Sequence, residues 1–206
     1  HIYINGPTVE LLIDETSYLE TTGRSLETQG TSKQNVHGAS YVGHGGYCGN
    51  SPTSERYGAF DLLPNPADIY DMKEMQLMGS MGHYSAKIAD RDRSTGGGGH
   101  IHINIENLNI TGSGRQLQSN GLPDLDKQDN DDLNGGSGGY IYVRTYNTKR
   151  ENTISLTSQF EAKGGSGKNQ GLGGSGGVII LDGKFDQYDI QKMTKVQGGI
   201  SGPTYE

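Results

Sequence analysis

GGSGGYIYVRT, residues 135–145, decides the fold, because the same arrangement returns as GGGGHIHINI at 96–105 and as GGSGGVIILD at 173–182. In each copy a run of glycines feeds a short stretch whose alternate residues are apolar: Ile101, Ile103 and Ile105, then Ile141 and Val143, then Val178 and Ile180. Alternation with period two places those side chains on one face of a strand. The opening HIYING puts Ile2 and Ile4 in the same places. The segment 1–30 reads as three short strands, IYI, VELLI at 9–13 and a patch at Tyr18 and Leu19. A second recurring step closes each copy: Leu19 to Gly23, Leu117 to Gly121 and Phe160 to Gly164, all spaced by four. A glycine at a fixed offset marks a corner that needs either positive φ or close backbone approach.

Strand and corner recurring every few dozen residues are what a stacked solenoid requires. The expected fold is therefore all-β, a glycine-rich parallel β-helix (β-solenoid) forming one domain over residues 1–206. A β-sandwich also uses short alternating strands, but it seldom places glycine blocks before successive strands. Ile101 to Ile141 spans 40 positions and Ile141 to Val178 spans 37, so the turns vary while the pattern persists. Residues 31–99 interrupt the repeat as an insertion. Within it, 66–78 suits one short helix: Asp68 and Asp71 fall in its first turns, and Ile69, Met72 and Met75 share a face. The chain opens on His1 in mid-motif, which is expected of an excerpt from a longer repetitive protein.

The core has to be lean, since apolar residues make up 31% of the chain and 34 positions are glycine; close backbone approach replaces bulky packing. With 24 acidic against 17 basic residues, the net charge of −7 argues against a nucleic-acid partner, which demands clustered Lys and Arg. No apolar run nears the roughly 20 residues of a spanning helix, the longest being VIIL at 178–181, so no direct membrane insertion is expected.

The stretches GASYVGHGG at 38–46, YGAFDLLPNP at 57–66, the Gly79–Ser80 step and the glycine block entering IHINI resemble glycine-rich parallel β-helix segments of large cell-surface proteins of protists and bacteria. Among these are the flagellar-hair (mastigoneme) proteins of stramenopile algae. The likeness spans about Gly38 to Leu181. It departs from the pattern at SMGHYSAKIADRDRST, 80–95, which stands between the Gly-Ser step and the glycine block. The resemblance implies a structural module of an extracellular filament or cell-surface appendage, with copies of itself or related modules as partners.

Chemistry-bearing residues are few. Asp124, Asp126, Asp129, Asp131 and Asp132 in DLDKQDNDDLN offer hard oxygen ligands of the type calcium takes, although the spacing is not that of an EF-hand; a solvated acidic loop is the alternative. His100 and His102 alternate onto one strand face where two imidazoles can share a metal, but spacing anchors no third ligand among His37, His44 and His83. Cys48 stands alone, which excludes an internal disulfide and leaves a buried thiol, an interchain crosslink or a reactive thiol; sequence adjacency to His44 does not build a nucleophile pair. GGSGK at 164–168 lacks the Ser or Thr and the glycine spacing of a phosphate loop. Asn109, in Asn109-Ile110-Thr111, is a glycosylation sequon whose flanking Leu108 and Ile110 turn inward. Tyr140 and Tyr142 fall on the outward side of their strand, a face suited to a sugar or a neighbouring subunit, unless tyrosine stands there only for its β propensity.

Three functional readings follow. The first is the structural, non-enzymatic filament module. The second is a polysaccharide-binding or polysaccharide-degrading β-helix protein, which needs carboxylates and a basic partner in a groove. The third is a calcium-dependent adhesin resting on the acidic loop.

Overall fold

A computed structural model describes residues 1–25, 79, 82, 96–122, 134–147, 152–155, 158–167, 171–185 and 187–201. The elements are β1 (Ile2–Ile13), β2 (Leu19–Glu20), β3 (His100–Ile110), β4 (Gly114–Gln118), β5 (Tyr140–Thr145), β6 (Thr153–Ile154), β7 (Ser158–Glu161), β8 (Val178–Asp182), α1 (Gln187–Met193) and β9 (Thr194–Lys195). They form two parallel sheets. One runs β1-β3-β5-β8, with β6 also paired to β3, and the other runs β2-β4-β7-β9. Among the described residues the chain makes four passes, each laying a strand in the first sheet and then one in the second. The fold is all-β with parallel sheets, and α1 is the one helix among the described residues.

The register stacks like on like. Ile2, Ile101, Ile141 and Ile179 lie side by side, as do Ile4, Ile103, Val143 and Leu181. These rows, with Ile105, Leu108, Ile110, Leu117 and Phe160, make the apolar core. One expectation is overturned here. Val178 and Ile180 are not the equivalents of Ile141 and Val143; the register runs one residue later, through Ile179 and Leu181. Because strand side chains alternate, that single step sends Val178 and Ile180 to the opposite face, beside Tyr140 and Tyr142. VIIL is apolar on both faces, so alternation within it could not choose between the two registers.

A second correction concerns β1, which is one twelve-residue strand where two short ones were expected. Its pairing with β3 shifts between Gly6 and Glu10, and Pro7 falls in that gap. Proline has no N–H for a ladder, so an irregularity is where a strand accommodates it. The turn into β2 is tied by Asp14, whose Oδ1 accepts hydrogen bonds from the Thr16 N–H (3.0 Å) and the Ser17 hydroxyl (2.7 Å). Those bonds, the Ser17 hydroxyl first, hold its carboxyl below the usual carboxylate range. The short helix expected at 66–78 lies outside the described residues.

The glycine lead-ins do not pair as strands do. Gly135 and Gly138 donate their N–H groups to Leu172 and Ser175, while Gly136 and Gly139 donate to Leu122 and Ser119. The direction of bonding therefore repeats every three residues, and segment 134–139 is bonded to neighbours on several sides: 171–177, 119–122, 96–99 and 162–167. A β-strand alternates with period two and has two neighbours; a chain with three residues per turn distributes its donors all round. Such a bundle excludes side chains at its glycine positions. A Cβ on Gly138 would meet the Ala162 carbonyl oxygen, and one on Gly136 would meet that of Gly96.

The closing corners share a spacing but differ in cause. Gly23 has φ +67°, in the left-handed region. Gly121 and Gly164 do not have positive φ; a Cβ there would strike the backbone carbonyls of the next lead-in, at Gly136 and Gly174. Serines fasten the same region: the Ser119 hydroxyl donates to the Gly99 carbonyl at 2.7 Å and accepts from Thr21 Oγ1 at 3.0 Å.

Candidate functional site: the outer ladder and the first strand

Side chains that alternate away from the isoleucine rows of the first sheet form a second set of rows. His1, His100, Tyr140 and Val178 make one, and Tyr3, His102, Tyr142 and Ile180 make the next. Parallel, in-register strands bring equivalent residues to neighbouring positions, and the rings pack accordingly. Centroids are 4.8 Å apart for His1 and His100, 5.4 Å for His100 and Tyr140, 4.7 Å for Tyr3 and His102, and 4.9 Å for His102 and Tyr142. A third row is polar. Asn104 Nδ2 donates to Asn5 Oδ1 at 3.1 Å, and Arg144 pairs with Asp182 at 3.3 Å.

Tyr140 and Tyr142 stand on the face away from the core, as alternation requires, but they are 1% and 3% exposed and present no open surface to a sugar or a subunit. Alternation assigns a residue to a face; whether that face is covered depends on tertiary packing. The exposed end of the ladder is Tyr3, at 56%. His100 and His102 do share a face, and both are buried. Among the described residues, neither ring nitrogen of His100, nor Nε2 of His102, has a hydrogen-bond partner. Burial, then the neighbouring His102 and the amino terminus, push His100 down to about 4, and burial lowers His102 as well. Both rings are neutral at pH 7. Among the described residues no three His, Cys, Asp or Glu side chains converge to hold a metal.

β1 has a ladder along one edge only among the described residues, the edge facing β3. It also carries exposed apolar side chains, Tyr3, Val9 and Leu12. Asn109 is half-buried between fully buried Leu108 and Ile110, in register with Leu12 and Thr153, and Thr111 beside it is exposed. Asp124, Asp126, Asp129, Asp131, Asp132 and Cys48 lie outside the described residues, as do His37, His44 and His83.

Two features escaped the sequence reading. Glu161, 1% exposed, is held by Lys163 two residues on (2.6 Å) and by Asn120 (3.3 Å) and Arg115 (3.5 Å), which the stacking of passes brings to it. Asn152 binds three passes at once: its Oδ1 accepts from the Leu108 N–H at 2.8 Å, and its Nδ2 donates to Thr145 Oγ1 at 2.9 Å and the Lys184 carbonyl at 3.0 Å. A lone Asn between strands carries no signal of such a role. Comparison with protein-family models, with curated proteins and with solved structures finds no match, so the reading of function rests on these residues and their packing.

Proposed function

We propose that this chain is a structural module of an extracellular or cell-surface filament, such as a flagellar hair, in which the passes are coils of a parallel β-solenoid joined to neighbours through their end strands. The observation that carries this reading is the ladder of β1: among the described residues its strand pairing is with β3 alone, and the strand bears exposed Leu12, at 64%. A strand edge without a ladder is one that another strand can join through backbone hydrogen bonds. The in-register rows of isoleucine and aromatic rings favour a partner strand of the same pattern, because such a strand extends every row by one rung. A glycan on Asn109, a calcium ion on the loop 124–132 and an interchain role for Cys48 belong to the same proposal.

The test is mass against concentration by sedimentation for the intact chain and for Leu12→Lys. An edge lysine opposes strand addition. At a site this exposed it should alter the stability of the single chain by no more than about 0.5 kcal/mol. The proposal expects mass to rise with concentration in the parent chain and to stay monomeric in the variant. A parent chain that remains a monomer throughout overturns it.

A further inference from the structure

The buried carboxylate of Glu161 holds an amine and a carboxamide side by side. Lys163 Nζ donates to Glu161 Oε1 at 2.6 Å, and Asn120 Nδ2 donates to Glu161 Oε2 at 3.3 Å. The stacking of β4 on β7 brings them together: Gln118 is in register with Glu161, and two positions beyond each stand Asn120 and Lys163. The carboxylate itself is 1% exposed, so the contacts are made away from bulk water.

The Asn120 carboxamide is oriented from both ends. Its Oδ1 accepts the Lys163 backbone N–H at 2.8 Å while its Nδ2 faces the carboxylate, and only one way round of the amide satisfies both. An N–H on that oxygen polarises the carbonyl carbon and stabilises the negative charge that an attacking amine places on the oxygen. A nucleophile, an electrophile with its oxygen already held, and a carboxylate touching both nitrogens are thus assembled at one corner. An ion pair alone requires only the lysine.

We infer that Lys163 and Asn120 become joined by a side-chain amide (isopeptide) bond, with Glu161 carrying the protons. The Lys163 ammonium passes a proton to the Glu161 carboxylate, which leaves two neutral groups and relieves the cost of burying charge. Arg115 Nε, 3.5 Å from Oε2 on a largely exposed side chain, favours the charged carboxylate and so slows that step. The neutral Nζ attacks Asn120 Cγ, and the Nζ–Cγ bond forms with the oxygen held by the Lys163 N–H. Glu161 gives its proton to Nδ2, the Cγ–Nδ2 bond breaks and ammonia departs. The proton that Nζ sheds returns to Glu161 and leaves with the ammonia as ammonium, so the carboxylate is regenerated and no oxidant or cofactor is consumed. The bond ties the second pass to the third and forms within one chain, independently of assembly. A competing attack on Asn120 Cγ by the Gly121 nitrogen would give a succinimide with the same loss of ammonia, but the Gly121 N–H is held by the Lys163 carbonyl at 2.8 Å.

The test is intact-mass spectrometry of the folded chain after denaturation, followed by tryptic mapping. The expected mass lies one ammonia below that of the sequence, with a branched peptide joining the segments that contain Asn120 and Lys163. Lys163→Arg keeps a cation beside Glu161 but has no reactive amine, so it should fold and show the full mass. Glu161→Gln should form the bond about a hundredfold more slowly or worse. The full mass in the parent chain overturns the inference. So does a loss of ammonia that persists in Lys163→Arg or that comes without a branched peptide, since a succinimide at Asn120 and Gly121 would then be its source.

Discussion

A single methyl group separates what the glycine bundle tolerates from what breaks it. Gly138 and Gly114 make the contrast: a Cβ on the first meets the Ala162 carbonyl oxygen, whereas Gly114, at φ +90°, has nothing within 4 Å of that position. Gly138→Ala has to displace backbone and should cost about 3 kcal/mol or more, while Gly114→Ala should cost about 1–2 kcal/mol, the penalty of a left-handed residue alone. Denaturant titration of both variants checks the order; equal costs would mean that the lead-ins are not packed backbone to backbone. The histidines supply a second residue-scale prediction. His100 is held near 4, below its ordinary 6.5, so the unfolded chain binds more protons than the folded one between those values. Stability from this site is complete above about pH 6.5, falls as the pH drops toward 4, and levels off below, a loss on the order of 3 kcal/mol. Unfolding free energies at pH 7 and pH 4.5 should show this dependence in the parent chain and a flatter one in His100→Phe.

Among elements, the joint between the β5 and β6 segments shows how a corner is held without a core. β3 runs straight through from His100 to Ile110, but its partner is divided into β5 and β6, and Asn152 stands just before β6. Replacing it by Ala orphans the Leu108 N–H, while the Lys184 carbonyl keeps the Asn152 backbone N–H, so Asn152→Ala should lose about 2 kcal/mol. The measurement is the urea midpoint at unchanged slope. Hydrogen exchange should also quicken at Leu108 before it does at Ile103, which lies in the fully paired part of the strand.

At the scale of the whole molecule, each pass is stabilised mainly by the passes on either side of it, so the end passes are less well covered than the middle ones. Ile2, Ile4, Ile179 and Leu181 are partly buried, and their equivalents in β3 and β5 are fully buried. Calcium is the remaining test at this scale: chelation should speed proteolytic cleavage between Asp124 and Asp132 if the loop holds the ion, and unchanged cleavage with excess chelator would leave it as solvated acid.

Period two in HIHINI and YIYV, and glycine at a constant offset from Leu19, Leu117 and Phe160, were enough to read an all-β, parallel arrangement and the rows Ile2–Ile101–Ile141 from the chain itself, because both signals are local and repeat. Three matters were settled only by tertiary structure. VIIL is apolar at every position, so its register waited on the neighbouring strand, and Ile179 rather than Val178 joined the core. Tyr140 and Tyr142 were assigned to a face by parity, but their burial depends on what that face packs against. The glycine blocks were legible as places of close approach. That they hydrogen-bond with period three, on several sides at once, follows from where distant segments lie, and no stretch of glycine carries side chains from which that placement can be read.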